Sequence, residues 1–251
     1  MFLIRFVLRS LIVIVWILAG LLIELLVFPI LSRRARQRTI QIWSRALLWM
    51  CGVQVRRQGR PILDGAVLWV INHVSWIDIF VLNALRPTSF IAKADIRRWP
   101  VIGLLVAWAG TLFIDRGHRQ ALRQAARDVR ECFARGDVVG LFPEGTTSGG
   151  WDVLHFHSGL FEPAVQSDVP VQPVALRFVQ HGRRTDRFAF VGEQTLVANL
   201  WILLGSGGVA VECDFLPPVE PGHGLDRGAL AQRTYAAIAQ AVRVSEDADQ
   251  A

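Results

Sequence analysis

The sequence predicts an α/β fold, with a mixed, largely parallel sheet flanked by helices and a helical membrane anchor in front of it. Three observations predict this class. Residues 10–28 form an apolar run with a single charge. After Pro61, short apolar segments alternate with helical ones. Two of the short apolar segments are followed directly by polar motifs, at the strand ends where α/β folds place reactive groups.

The composition favours a protein that contacts lipid. Apolar residues make up 52% of the 251 residues and charged residues 19%, with a mean hydropathy of +0.36. The net charge of +6 suits an anionic membrane surface, a phosphorylated substrate or nucleic acid. Nine tryptophans beside one tyrosine favour the membrane, because Trp settles at the headgroup level. No basic-aromatic motif of an RNA-binding module is present, so we expect no nucleic-acid partner.

The apolar run at 10–28 is long enough, at about 28 Å as a helix, to cross the hydrocarbon core. The absence of a small-x-small cleavage site before the arginines disfavours a signal peptide. Two arrangements remain open. A single span would place Glu24 inside the bilayer at a cost of a few kcal/mol. A helix that enters one leaflet would direct Glu24 to protein or water.

A second, basic amphipathic helix is predicted after this run, ending at Gly52. Together the two segments predict a two-helix anchor over residues 1–58, although a core helix is an alternative for the second. A catalytic domain is expected at 59–245 and a flexible tail at 246–251. Arginines are denser after the apolar run, which predicts an inner-membrane protein with its catalytic domain on the cytoplasmic side. The three cysteines have no metal or disulfide spacing and are expected to be reduced.

The remaining elements are predicted from apolar periodicity and from Gly and Pro positions. Strands are expected at 67–71, 89–92, 110–114, 138–142, 171–178, 187–191 and 208–215. Helices are expected at 75–85, 117–135 and 225–244.

The first motif with catalytic potential is Asn72-His73-Val74-Ser75-Trp76-Ile77-Asp78, directly after the strand at 67–71. Asp78 is placed to reach back to His73, and a carboxylate on one imidazole nitrogen fixes the tautomer and supports proton uptake at the other. A substrate that brings its own hydroxyl needs no protein nucleophile. The alternative is structural: Ser75 and Asp78 form a capping box, and His73 bonds to the backbone.

The second motif is Phe142-Pro143-Glu144-Gly145-Thr146-Thr147-Ser148, after the strand at 138–142. Backbone N–H groups around Gly145 suit a phosphate or an oxyanion, and Glu144 suits a substrate hydroxyl. A solvent-exposed turn without a ligand is the alternative. Two polar strand-end loops in one short sheet are expected to face a common pocket.

These two motifs resemble the NHxxxxD and FPEGTRS blocks of the glycerolipid acyltransferases, which include 1-acylglycerol-3-phosphate acyltransferase. Residues 110–116 (GTLFIDR) and 169–175 (VPVQPVA) resemble two further blocks of that family, and all four occur in the family order between residues 67 and 176.

The resemblance implies the roles of the site residues. His73 is the general base and Asp78 orients it, while the lysolipid hydroxyl attacks the thioester of acyl-CoA or acyl carrier protein. Asn72 or backbone donors near Gly145 steady the oxyanion. The resemblance further implies acceptor or acyl contacts for a set of residues that comprises Arg116, Glu144, Gly145, Thr146 and Pro173. No metal or cofactor is implied.

The match departs from the family at Thr147, where members that form phosphatidic acid usually carry arginine. Threonine cannot make a bidentate phosphate contact. The expected acceptor is 1-acylglycerol-3-phosphate, with lyso-ornithine lipid as the alternative. A membrane-bound thioester hydrolase and a non-catalytic scaffold are alternatives of other classes. His155 and His157 share one face if their segment is a strand, but no carboxylate or cysteine at ligand spacing supports a metal site.

Overall fold

In a computed structural model of the chain, the described residues are 1–98, 102–108, 110–114, 119–222 and 224–249. The first two helices are α1, Phe2–Leu26, and α2, Arg33–Cys51. The Ser32 Oγ caps α2 by accepting the N–H of Ala35 at 3.4 Å. Gly52, at φ +73°, ends this helix in the left-handed conformation that glycine adopts without strain. The predicted amphipathic helix and its stop at Gly52 are confirmed.

Eight strands form one sheet in the order β1-β8-β6-β2-β5-β3-β4, with β7 paired to β6. Neighbouring strands run parallel except where β6 meets β8 and β7. The predicted mixed, largely parallel sheet is therefore confirmed. The strands are β1 Val53–Gly59, β2 Val67–Ile71, β3 Thr88–Lys93, β4 Leu112–Ile114, β5 Val138–Leu141, β6 Val171–Gln180, β7 Arg183–Arg184 and β8 Val209–Phe215.

Helices cover both faces of the sheet. The central strand β2 shows why: its residues are fully buried and alternate between two apolar cores. The helices that follow α2 are α3 Asp78–Leu85, α4 Ile102–Trp108, α5 Arg119–Ala134, α6 Glu162–Gln166, α7 Leu196–Gly205 and α8 Arg227–Asp249. Trp69 belongs to the core that contains residues of α2, α3 and α7, whereas Leu68 belongs to the core that contains residues of α5, α6 and α8.

Several predicted boundaries differ from the structure. The strand expected at 187–191 is wrong, because this segment is a loop whose Phe190 N–H donates to the Val74 carbonyl at 2.9 Å. The helix expected from residue 75 begins at Asp78, and the closing helix continues to Asp249. Residues 53–58, which the sequence assigned to the anchor, lie in the edge strand β1 beside β8.

The helix α1 lies along the folded unit over most of its length. Near its start, the Phe6 ring is 4.3 Å from that of Trp201 in α7, and the Arg9 guanidinium donates to the carbonyl of Leu204 at 3.1 Å. Near its end, Gly20 lies against Trp43 of α2, where an added Cβ would come within 2.6 Å of the indole nitrogen. The outward face of α1 exposes large apolar side chains. By length and composition this helix can also cross a membrane.

Candidate active site

His73 and Asp78 form a hydrogen-bonded pair at the carboxyl end of β2. The His73 Nδ1 is 2.9 Å from the Asp78 Oδ2. The Asp78 side chain is fully buried, whereas 19% of the His73 side chain is exposed. The pairing of Nδ1 with a carboxylate leaves Nε2 as the acceptor nitrogen, which is the state that a general base requires.

The backbone holds the Asp78 carboxylate in place. Its Oδ2 also accepts the N–H groups of Val74 at 2.8 Å and Ser75 at 2.9 Å. The loop between β2 and α3 therefore folds around one carboxylate oxygen, which is why α3 starts at Asp78. The alternative of a capping box is met in one half: the Asp78 carboxylate accepts the Ser75 N–H, whereas the residue that precedes the helix is Ile77. These bonds fix the position of the carboxylate relative to the imidazole.

Glu144 ties the two polar loops together. Its Oε1 accepts the backbone N–H of His73 at 2.7 Å, and its Oε2 accepts that of Leu154 at 2.8 Å. The residue is 5% exposed, and burial raises the pKa of its carboxyl, although the two backbone N–H groups act in the opposite direction. Both oxygens serve the protein backbone, so the geometry gives Glu144 a role in positioning His73.

The imidazole of His73 stacks on Phe142, with ring centroids 4.0 Å apart and planes inclined by 21°. The backbone carbonyl of His73 accepts the N–H of Ser148 at 2.8 Å. The loops after β2 and β5 are thus joined through both the backbone and the ring of His73. Such a tightly held base keeps its orientation without help from substrate.

Asn72 is fully buried, and both ends of its side-chain amide bond to the backbone of one residue. Its amide nitrogen donates to the Leu176 carbonyl at 3.0 Å, and its amide oxygen accepts the Leu176 N–H at 2.7 Å. Pro173 lies inside β6, opposite Val70 and before the strand end. The Asn72 amide therefore joins the end of β2 to β6, and the Pro173 carbonyl accepts the N–H of Leu216 at 3.0 Å.

The turn after Glu144 holds the remaining described candidates. Gly145 has φ +73°, and its N–H donates to the Phe142 carbonyl at 3.2 Å. Thr146 is exposed at the mouth of the loop. The Thr147 hydroxyl donates to the Phe190 carbonyl. Thr147 therefore joins its turn to the loop at 185–194.

Arg116, the expected phosphate ligand, lies outside the described residues. Two further arginines donate to protein carbonyls: Arg177 to that of Ala241 at 2.6 Å and Arg184 to that of Val242 at 2.5 Å. Arg177 is 7% exposed.

Within the described part of the chain, no serine or cysteine side chain is bonded to the His73 imidazole. The three cysteines are buried, and burial raises the pKa of the Cys51 thiol to about 12. His155 and His157 lie in a loop with ring centroids 5.9 Å apart. No group of three or more potential metal-ligating side chains occurs among the described residues. The arrangement therefore suits a reaction in which the substrate supplies the nucleophile.

Asn199, a buried residue of α7, is not among the residues predicted from the sequence, although its side chain bonds to two segments beside the site. Its Oδ1 accepts the indole N–H of Trp76 at 2.8 Å, and its amide nitrogen donates to the Ala189 carbonyl at 3.2 Å. The only signal was a polar residue inside an otherwise apolar segment, LVANLWILLG.

The site thus places a histidine, paired with a buried carboxylate, at the carboxyl edge of an open α/β sheet. Residues 52–177 match the family model described as Acyltransferase, so the chain belongs to the acyltransferase family and is an O-acyltransferase.

Two curated relatives carry different substrate names. The chain is 38% identical over 203 residues to the lyso-ornithine lipid O-acyltransferase of Pseudomonas aeruginosa, covering 81% of this chain and 78% of the relative. It is 39% identical over 196 residues to the 1-acyl-sn-glycerol-3-phosphate acyltransferase of Neisseria gonorrhoeae, covering 76% and 75%.

The fold is also similar to the crystal structure of the 1-acyl-sn-glycerophosphate acyltransferase PlsC from Thermotoga maritima. The TM-score is 0.71 at 22% identity, with 97% of this chain and 95% of that chain covered.

Proposed function

We propose that the protein transfers a fatty acyl group from a thioester to the free hydroxyl of a lysolipid, with His73 as the general base. The observation that carries the proposal is the 2.9 Å bond between His73 Nδ1 and Asp78 Oδ2, beside which the described chain offers no protein nucleophile. Family membership and the names of the relatives support the reaction class.

In this mechanism the Nε2 of His73 takes the proton of the acceptor hydroxyl while its oxygen attacks the thioester carbon. Asp78 stabilises the imidazolium that forms. The tetrahedral intermediate collapses with cleavage of the C–S bond, and the imidazolium returns the proton to the thiolate that leaves. Backbone N–H groups of the turn after Glu144 are the candidate donors for the oxyanion. Acyl-CoA or acyl carrier protein serves as the donor, and the step needs no cofactor.

We propose 1-acylglycerol-3-phosphate as the acceptor, with Arg116 as a phosphate ligand and Gly145 and Thr146 at the glycerol site. A second candidate is lyso-ornithine lipid. Two observations favour it: the Thr147 side chain is engaged with Phe190, and the Pseudomonas relative carries that name. For both acceptors, substrate and product are bilayer lipids.

The membrane placement follows from α1. Both ends of this helix contact the folded unit, at Trp201 and at Trp43, while its outward face is apolar. We therefore propose that α1 lies in one leaflet of the inner membrane and that the catalytic unit stays on the cytoplasmic side. The two-helix anchor and the catalytic domain then act as one packed body, so that the active site faces the lipid headgroups.

The test offers detergent-purified protein a labelled acyl-CoA with or without a panel of lysolipids. We expect turnover only with a lysolipid, and a loss of at least about 10³-fold in kcat for His73→Ala. The control variant is His181→Asn, at an exposed turn position with φ +51° that asparagine tolerates. Equal rates for wild type and His73→Ala would overturn the assignment, and thioester consumption without acceptor would indicate a hydrolase.

The same panel ranks the acceptors. If 1-acylglycerol-3-phosphate is the substrate, its kcat/KM exceeds that of lyso-ornithine lipid. The reverse order would replace the first acceptor by the second and leave the chemistry at His73 unchanged.

A further inference from the structure

A basic cleft lies at the edge of the sheet opposite His73. Asp64 and Gly65, which precede β2, and Asp137, which precedes β5, contribute to its floor. One wall is α2, which contributes Arg33, Arg34, Gln37, Arg38 and Gln41. The cleft borders the amino ends of these strands, whereas His73 follows the carboxyl end of β2, so the cleft is separate from the active site.

The polar groups in the inner part of the cleft are hydrogen-bonded to one another. The Asp137 carboxylate accepts hydrogen bonds from Arg33, from Gln37 at 3.3 Å and from Arg135 at 3.2 Å. Arg86 donates to the carbonyls of Gly65 at 2.7 Å and Gly136 at 3.0 Å. These contacts hold the loops together and fix the shape of the cleft.

The rim of the cleft carries charge without partners. Arg34 and Arg38 are exposed on α2, and neither has a hydrogen-bond or ion-pair partner among the described residues. The whole cleft contains five arginines and two carboxylates, which leaves a net charge of +3. An excess of guanidinium groups at an open surface suits a phosphate-bearing ligand.

The polarity around α2 indicates where that ligand comes from. Ile42 and Trp49, which also lie on α2, are 63% and 77% exposed. At about 100° per residue, the side chains of Arg34 and Arg38 project between these two and the cleft. Around α2 the surface therefore changes from apolar side chains, through the two arginines, to the polar cleft. A bilayer changes in the same order, from its hydrocarbon core to its headgroups.

We propose that this cleft binds the phosphate of an anionic lipid headgroup, with Arg34 and Arg38 as its contacts at the rim. A soluble acidic protein would also match the positive charge of the cleft. It would not explain why Ile42 and Trp49 are exposed beside the cleft. The inference goes beyond acyl transfer, and it relies only on the proposed membrane face. A headgroup bound here would fix the rotation of the molecule about α1.

The experiment uses the full-length chain and two vesicle populations of different density. One consists of phosphatidylcholine, and the other of equal parts phosphatidylcholine and phosphatidylglycerol. We expect wild type to prefer the anionic vesicles. The preference should fall on the order of 10- to 30-fold in the double variant Arg34→Gln/Arg38→Gln, because each surface arginine contributes about 1 kcal/mol near an anionic bilayer.

The matched control is Arg123→Gln/Arg127→Gln. These arginines are also exposed and four residues apart, but they lie on α5, on the other face of the sheet. Their removal changes the net charge equally and should leave the preference at the wild-type level. Equal losses in both double variants would show a general charge effect and would overturn the proposed site. Retention of the preference by Arg34→Lys/Arg38→Lys would support it.

Two further measurements distinguish a lipid headgroup from free phosphate and from a protein partner. Excess inorganic phosphate at constant ionic strength should leave the vesicle preference intact, and its abolition would instead indicate a site for free phosphate. Turnover of lysolipid in detergent should be unchanged in the Arg34→Gln/Arg38→Gln variant. An unchanged vesicle preference with a raised KM for acyl carrier protein thioesters would mark the cleft as a protein-docking surface and overturn the proposal.

Discussion

At the scale of single residues, the site depends on two carboxylates with distinct tasks. One oxygen of Asp78 receives the imidazole N–H and two backbone N–H groups, so the same atom shapes the loop and orients the base. Glu144 uses its two oxygens on the backbone of two different loops. Catalytic geometry and loop conformation are therefore linked at these positions.

Replacing Asp78 by asparagine should lower kcat by about 10³- to 10⁴-fold with a small change in KM. The amide does not stabilise the imidazolium and supports the wrong tautomer of His73. Steady-state kinetics with labelled acyl-CoA measure this effect. The control is Asp152→Asn, whose carboxylate pairs with Arg243 at the surface and should have no effect on kcat. A kcat within about tenfold of wild type would contradict the role of Asp78.

Glu144 predicts a pH dependence of stability. Burial raises its pKa in the folded state, so the folded protein binds this proton more tightly than the unfolded chain. Its contribution to the free energy of unfolding is therefore largest below the unfolded pKa and falls as the pH rises through the raised folded pKa. Glu144→Gln lacks this titration. The stability of wild type relative to Glu144→Gln should thus decrease over the pH range above about 4, the ordinary pKa of a glutamic acid. Thermal melts across that range measure it, and an increase would contradict the assignment.

The sequence predicted where the polar loops lie but not what each side chain contacts. His73, Asp78 and Glu144 follow strands of one parallel sheet, and that topology brings them to the same edge. The partner of Asn72 is Leu176, on a strand about 100 residues further along the chain. Spacing within a motif carries no information about a partner so far along the chain. An asparagine that binds a ligand and an asparagine that joins two strands therefore have the same local sequence pattern.

At the scale of elements, the loop at 185–194 fastens the site. Phe190 bonds to both polar loops, through its N–H to Val74 and through its carbonyl to Thr147. The sequence predicted a strand here because FAFV has strand composition. Within the described chain the segment pairs with no strand, and the N–H and carbonyl of Phe190 bond to the loops of the active site instead.

Asn199→Ala should lower the free energy of unfolding by about 2–3 kcal/mol. The substitution leaves the Trp76 indole N–H and the Ala189 carbonyl without their partner, and Asn199 is 1% exposed. Chemical denaturation in detergent provides the measurement. Val197→Ala on the same helix, where the side chain is 75% exposed, is the control and should change stability by less than about 0.5 kcal/mol. Equal stabilities of Asn199→Ala and wild type would contradict the contacts.

At the scale of the whole molecule, the anchor and the catalytic unit form one body. The sequence left a span and a one-leaflet helix open, because length and hydropathy are the same in both. The structure adds contacts at both ends of α1, with α7 at one end and α2 at the other, and these support the one-leaflet placement that we propose. These contacts join residues far apart in the chain, which no local pattern reports.

A topology experiment should place the N-terminus and the catalytic unit on one side of the membrane. Inverted inner-membrane vesicles would carry the protein with an N-terminal tag and Arg60→Cys. Both labels should be accessible from outside. Cys51, Cys132 and Cys213 are buried, so wild type serves as the unlabelled control for the thiol reagent. A tag protected inside the vesicles together with a reactive thiol would show that α1 spans the bilayer.

The docking of α1 onto α7 also has a consequence for biosynthesis. Arg9 emerges from the ribosome near the start of translation, but its acceptor carbonyl on Leu204 is made 195 residues later. At about 5–20 residues per second, α1 waits roughly 10–40 s for its partner. During that interval its apolar surface needs cover, which the bilayer supplies. The nascent chain is therefore expected to reach the membrane before its catalytic unit folds, and the enzyme is assembled in contact with the lipids that it acylates.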